Sequence, residues 1–179
     1  MKDHYTITIA GETRNLPLCP VSDKLSIAAF ILFSDVPMTI AAASALLAKA
    51  PEFDLILTAE SKGIPLAYEM ARQSGKNYIL ARKSSKVYMV EPIKIEVKSI
   101  TTRKLQELYL DASDADLLHG KRVLIVDDVI STGESLHALE GLLSHTGANV
   151  VGKMAVLAEG DAGDRSDIIY LEKLPLFFN

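Results

Sequence analysis

Two adjacent carboxylates, Asp127 and Asp128, close the apolar run Val123-Leu124-Ile125-Val126. After Val129 and Ile130 the chain reads Ser131-Thr132-Gly133-Glu134-Ser135. A buried strand that ends in acids and turns through a hydroxyl-rich, glycine-bearing loop into a helix makes an anion site. The first helical amides lack intrahelical partners and carry a partial positive charge. Gly133 lets the backbone approach a phosphate closely, and Ser131, Thr132 and Ser135 add hydroxyl donors. Two carboxylates placed just before such a nest suit a ribose 5-phosphate. They would accept from its 2′- and 3′-hydroxyls, or hold a water of Mg²⁺, while the loop takes the phosphate.

Plainer patterns explain less. Ser131 or Thr132 as a helix N-cap accounts for a hydroxyl but not for the paired acids. A Walker B strand would need a G-x-x-x-x-G-K-[ST] loop elsewhere, and the sequence has none. Phosphoacceptor receiver domains open on a similar string, yet the chain after Asp128 is too short for that fold.

Two further clusters follow apolar runs. Ala59-Glu60-Ser61-Lys62-Gly63 comes after Leu55–Thr58 and leads into a helical pattern, giving a second strand-to-helix anion loop. A lysine at a helix start opposes the dipole and so asks for a reason, although a solvated Lys62 is the plain alternative. Arg82-Lys83-Ser84-Ser85-Lys86 follows Tyr78–Ala81 with three bases in five residues, which alone is most simply a solvated face. His4, His119, His137 and His145 have no metal-ligand spacing, and Cys19 has no partner cysteine.

The elements that must position these residues alternate in period. Asp54–Thr58, Tyr78–Ala81, Val123–Val126 and Val151–Leu157 are continuous apolar runs, as strands buried on both faces require. Between them, Ile40/Ala43/Leu47/Ala50, Ile64/Ala67/Met70/Ala71 and Leu136/Leu139/Leu142/Leu143 form helical stripes. The pattern predicts an α/β fold with a doubly wound parallel sheet. Tyr5–Ile9 and Arg14–Leu18 read as a hairpin over that sheet, and Ser84–Asp116 as two antiparallel strands joined through Ser99–Arg103. The tail Leu174–Phe178 is expected to close the core or a dimer contact. No repeat or linker divides the 179 residues, so one domain over 1–179 is expected.

With 19 Lys+Arg against 23 Asp+Glu the net charge is −4, which argues against a nucleic-acid binder. The apolar stretch Leu25–Ala50 is interrupted by Asp35 and Pro37, so no membrane span is expected, and Met1–Tyr5 leads into no signal-peptide core. One cysteine suits a reducing compartment, and a cytoplasmic location is expected.

Asp127-Asp128-x-x-x-Thr132-Gly133 resembles the phosphoribosyl-diphosphate (PRPP) signature of type I phosphoribosyltransferases. The resemblance extends over nearly the whole chain and runs nearest to adenine phosphoribosyltransferases. It implies a parallel sheet with a hood (1–37), a flap (84–116) and a homodimer. The implied reaction joins PRPP to a purine with Mg²⁺ and releases pyrophosphate. By the resemblance Asp127, Asp128 and Lys62 are catalytic, and Ser131, Thr132, Gly133, Glu134 and Ser135 hold the 5′-phosphate. Glu60, Ser61, Lys62, Gly63, Arg82, Lys83 and Lys86 hold pyrophosphate, the last two across a dimer interface. Phe33 stacks on the purine and backbone near Leu32 reads its edge, although the run Ile27–Phe33 would also suit ordinary core. The sequence departs from the pattern at three places. Lys62 stands where adenine enzymes usually carry Arg, Ser34 where Arg commonly precedes Asp35, and Thr101 where the flap places a general acid/base Glu. Adenine is therefore the first expectation, with xanthine, hypoxanthine or guanine as alternative acceptors and orotate a weaker one. A non-catalytic module that senses PRPP or a nucleotide is the rival, although such regulators carry an added DNA-binding domain that 179 residues would not accommodate.

Overall fold

The computed structural model describes residues 3–98 and 105–178. Five parallel strands form the central sheet in the order β10-β9-β8-β4-β5: β4 Leu55–Ala59, β5 Asn77–Ala81, β8 Arg122–Ile130, β9 Asn149–Glu159 and β10 Ile169–Leu174. Alternate residues of β8 serve opposite cores. Leu124 and Val126 pack with helices α1 (Val36–Leu47) and α2 (Ile64–Ser74), while Val123 and Ile125 pack with α3 (Ala112–Leu118) and α4 (Glu134–Ser144). A strand that must satisfy two apolar layers has no polar face, hence its unbroken apolar run.

The anticipated hairpin is present: β1 (His4–Ile9) pairs antiparallel with β2 (Glu12–Ser22), which pairs with β3 (Leu25–Ala28). This sheet takes its fourth strand from the other end of the chain, where β11 (Phe177–Phe178) pairs with β3 and Phe177 packs its ring 5.2 Å from Tyr5. Ile7, Ile9 and Leu16 bury their side chains in the same core as α1 and α2, fixing the hood to one face of the central sheet. On the other face lies the expected antiparallel pair, β6 (Ile93–Lys98) with β7 (Leu105–Leu110). Its residues Ile93, Ile95, Leu108 and Leu110 pack into the core that α4 shares. The expected joining turn and Thr101 lie outside the described residues.

Two boundaries differ from the sequence reading, and four elements escaped it. Strand β8 does not end at the acids but runs through them to Ile130, because its pairing with β9 continues at Val129↔Leu157 and Ile130↔Ala158. Helix α1 starts before the apolar stripe, at Val36, because Asp35 accepts from the Met38 amide at 3.2 Å and Pro37 fits the first turn. Helix α3 and strands β3, β10 and β11 are too short or too polar to have shown a period. Among the described residues no helix is long and apolar enough to cross a membrane.

Candidate active site

The candidate residues gather where β4, β5 and β8 end, the usual ligand edge of an open parallel sheet. Asp128 is buried at 3% exposure, and its Oδ2 accepts no hydrogen bond. The nearest compensating charge is Lys62, whose Nζ lies 3.7 Å from that oxygen. Asp127 turns Oδ1 to the Asp128 backbone N–H at 2.9 Å. Burial pushes the Asp127 carboxyl well above the ordinary carboxylate range, and the adjacent Asp128 charge pushes it further. Asp128 Oδ2 is thus the one carboxylate oxygen of the pair that is buried with no hydrogen-bond donor against it.

The Glu60–Gly63 loop is pressed against it. A Cβ on Gly63 would stand 2.5 Å from Thr58 Oγ1 and 3.0 Å from Asp127 Oδ1, so only glycine lets the loop lie this close. The Glu60–Ser61 peptide is cis. Glu60 joins this loop to the one after β5: its Oε2 accepts from the Lys83 amide at 2.8 Å, and its Oε1 lies 3.4 Å from Arg82 Nε. Arg82 is also held through its backbone, exchanging hydrogen bonds of 2.9 and 2.8 Å with Tyr109 of β7. Lys62 and Lys83 remain exposed, and Lys86, farther along, donates to Ser84 Oγ at 2.7 Å. Lys62 and Lys83 thus have exposed side chains on the two loops that Glu60 joins, while the half-buried Arg82 side chain lies beside Glu60 with its Nε making no hydrogen bond.

After β8, Gly133 takes φ +81° at the cap position of α4, and Thr132 Oγ1 accepts from the Glu134 amide at a long 3.5 Å. Ser131, Thr132 and Ser135 are exposed, and a glycine, not one of these hydroxyl residues, holds the cap position. The loop residues 131–135, with Asp127, Val129, Ile130 and Leu136, line a cavity of about 50 Å³. A Cβ on Gly133 would meet Arg165 Nη1 at 2.5 Å. Arg165 is held there by Asp167 at 2.9 and 2.8 Å, and Asp167 in turn by Lys153, which also bonds Glu140 of α4.

Sequence reasoning missed Arg165 because it lies far along the chain from the loop it approaches. It also missed Glu159 at the end of β9, whose half-buried carboxyl is raised by burial while Lys62 pulls it the other way. A lone acid after an apolar run is the only signal it offered. The flap acids, by contrast, are engaged. Lys94 pairs with Glu96 at 2.5 Å and with Glu107 at 2.6 Å, and Tyr109 donates to Glu107 at 2.8 Å.

In the hood, Leu32 is buried at 1% exposure whereas Phe33 is 47% exposed, its ring presented rather than packed away. The alternative of Phe33 as ordinary core does not describe it.

Asp127 and Asp128 offer hard oxygen donors of the kind Mg²⁺ takes, with Asp128 Oδ2 unpartnered. Among the described residues no group of three or more His, Cys, Asp or Glu gathers to hold a metal. The fit is to an ion that draws most of its ligands from a bound substrate and water, not to a protein cage.

Residues 37–173 match the family model of the phosphoribosyl transferase domain. The adenine phosphoribosyltransferase of Rhodococcus jostii is 33% identical over 145 residues, covering 81% of this chain and 78% of that protein. The purine biosynthesis transcriptional repressor PurR of Bacillus subtilis is 32% identical over 113 residues, 63% of this chain and 39% of the repressor. A hypoxanthine/guanine phosphoribosyltransferase of Methanococcus voltae is 37% identical over 108 residues, 60% of this chain and 54% of that enzyme. The chain thus spans well under two thirds of the repressor and of the archaeal enzyme. Among solved structures, the adenine phosphoribosyltransferase of Thermoanaerobacter pseudethanolicus superposes with a TM-score of 0.74 at 22% identity, covering 88% of this chain and 95% of that one. The fold, the strand-end loops and the extent of the sequence match agree: this chain belongs to the phosphoribosyltransferase family.

Proposed function

We propose that the protein transfers the 5-phosphoribosyl group of PRPP to a purine base, adenine before other purines, and releases pyrophosphate in purine salvage. The observation that carries this reading is the junction of three loops around one unsatisfied carboxylate. Lys62 reaches Asp128 from the loop after β4, Glu60 ties in the loop after β5, and the strand that carries Asp128 leads through Ser131–Gly133 into α4.

In this reading Asp127 and Asp128 accept from the ribose 2′- and 3′-hydroxyls. The amides and hydroxyls of Ser131–Ser135 hold the 5′-phosphate at the helix terminus. Lys62, Lys83 and Lys86, with amides of the Glu60–Gly63 loop, hold the diphosphate, and Phe33 stacks on the base, worth ~1–3 kcal/mol. Mg²⁺, when bound with PRPP, neutralises diphosphate charge. As the C1′–oxygen bond breaks, the electron pair leaves on pyrophosphate, where the lysines stabilise it. A purine nitrogen held over the ribose supplies the new bond to C1′ and the ring N–H proton of the base passes to water, so most of the catalysis is positioning and electrostatics. Lys62 supplies charge without the bidentate fork of an arginine.

Tyr68, Tyr88 and Val90 are large apolar side chains left exposed, and Tyr68 packs edge-on against Tyr78 of the edge strand β5, which supports a homodimer readable by light scattering. The free Cys19 supports a reducing, cytoplasmic setting.

Pyrophosphate release with PRPP and Mg²⁺, screened across purines and pyrimidines, tests the activity. Turnover with adenine is expected to exceed that with hypoxanthine, guanine or xanthine. A second reading, a module that senses PRPP or a nucleotide, draws on the likeness to the Bacillus subtilis repressor. Calorimetric PRPP binding without turnover on any base would favour it.

A further inference from the structure

Phe33 sits on a turn that its sequence does not favour. The Asp35 amide donates to Leu32 O at 3.1 Å, closing a four-residue turn with Phe33 and Ser34 at its centre. Ser34 takes φ +66°, the left-handed region that resists any residue with a Cβ. Such a conformation persists only where the surroundings over-determine it, and it concentrates at sites where a group must be held still.

The surroundings here are one arginine and one helix. Arg14, on β2 of the hood, donates from Nε to Asp35 Oδ2 at 2.7 Å and from Nη2 to Asp35 Oδ1 at 2.9 Å. Its Nη1 is held in turn by Glu12 at 3.0 Å and by Thr13 O at 2.8 Å. From the other side, the Met38 amide donates to Asp35 Oδ1 at 3.2 Å, and Thr39 Oγ1 donates to Asp35 O at 2.7 Å. Asp35 is therefore gripped by a planar fork from the hood and by the first turn of α1. Two residues back, Phe33 presents its half-exposed ring between the buried Leu32 and the exposed Ser34. A fork fixes orientation as well as distance, which a single ammonium cannot do.

We propose that Arg14 is a positioning residue for base recognition: through Asp35 it locks the Leu32–Asp35 turn and so sets the plane of the Phe33 ring. The inference rests on the reading of Phe33 as the stacking face. Arg14 itself touches no substrate. Its work is to keep an unfavoured turn in the one geometry that offers the ring.

The test is steady-state kinetics of the full chain and of Arg14→Ala, Arg14→Lys, Asp35→Asn and Phe33→Ala, with KM for the purine and for PRPP measured separately and Tm recorded. Equilibrium binding of the purine in the presence of pyrophosphate gives a readout independent of turnover. Arg14→Ala is expected to raise the purine KM roughly tenfold, within what one stacked base is worth, with PRPP KM and kcat within about twofold. Arg14→Lys, which keeps the charge and loses the fork, is expected to fall between Arg14→Ala and the unaltered chain. If Arg14→Ala does not fold, Arg14→Lys and Asp35→Asn carry the same comparison. A raised purine KM in Phe33→Ala with no change in the Arg14 and Asp35 variants overturns the proposal alone. An unchanged purine KM in Phe33→Ala overturns the stacking reading beneath it. Equal rises in both KM values that track a fall in Tm show general loosening and also overturn it.

Discussion

Lys62 Nζ stands 3.7 Å from Asp128 Oδ2, and that oxygen is both buried and without a hydrogen bond. The lysine side chain is 55% exposed while the Asp128 side chain is 5% exposed, so the cationic partner faces solvent and the anionic partner does not. An ammonium in this position serves a carboxylate while the site is free, and can turn to an anionic ligand once hydroxyls or a cation satisfy Asp128. The pairing makes the loop after β4 and the end of β8 parts of one charge system.

Lys62→Ala should lower kcat/KM for PRPP by roughly 10²-fold, the size of effect seen on removing one charge-stabilising donor. Lys62→Arg should recover most of it, since the longer guanidinium still reaches a diphosphate. Initial rates of pyrophosphate release at varied PRPP decide this. A change below twofold would remove Lys62 from the diphosphate site.

Asp127→Asn should abolish most activity yet raise stability at neutral pH. The folded protein holds the Asp127 proton more tightly than the unfolded chain does, so between about pH 4 and the raised folded value stability falls as pH rises. Asparagine removes that penalty and can still accept the Asp128 amide. Thermal scans without PRPP or Mg²⁺ should show Tm higher by about 2–4 °C at pH 7, what ~1 kcal/mol is worth in a chain of this length. The gain should shrink as pH falls toward 4.

Gly133→Ala combines a left-handed φ of +81° with a Cβ placed 2.5 Å from Arg165 Nη1. It should cost about 1–2 kcal/mol of stability from the backbone alone and weaken PRPP binding more than base binding. Gly63→Ala meets Thr58 Oγ1 at 2.5 Å and the Asp127 Cα at 3.3 Å, so its effect should fall on kcat as well as on PRPP KM. Calorimetry with PRPP separates the two, and equal effects would refute the assignment of separate loops.

Far from the site, Arg122 grips Asp54 through Nε at 3.2 Å, Nη2 at 2.9 Å and its own amide at 2.9 Å. These contacts hold the Asp54 carboxyl below its usual range, so its contribution is present at neutral pH and is lost as acid protonates it in the fold. Asp54→Asn should lower Tm at pH 7, with the difference narrowing below about pH 4. Activity per folded molecule should stay unchanged, which separates this pair from the catalytic acids.

Much of this is legible in the sequence. The parallel strands showed as unbroken apolar runs because each must satisfy two cores, and the acids and the loop after them are adjacent in sequence, so Asp127, Asp128 and Ser131–Ser135 came as one motif. Boundaries were less legible. Strand β8 passes through its acids because β9 continues to pair with it, and a partner strand leaves no mark on the sequence of its neighbour.

By itself the sequence determined the layer architecture, the phosphate-type loop and the presence of bases at two other strand ends, since local periodicity and short motifs carry these. The tertiary structure alone decided which charges meet. It gave Lys62 to Asp128, set the Arg82 side chain beside Glu60 and bonded its backbone to Tyr109, engaged Glu96 and Glu107 with Lys94, and brought Arg165 to Gly133 and Arg14 to Asp35. It also drew Phe177 from the end of the chain into the hood. Spacing along the chain sets which residues share an element, whereas pairing between side chains depends on the distance between elements, and only packing fixes that distance.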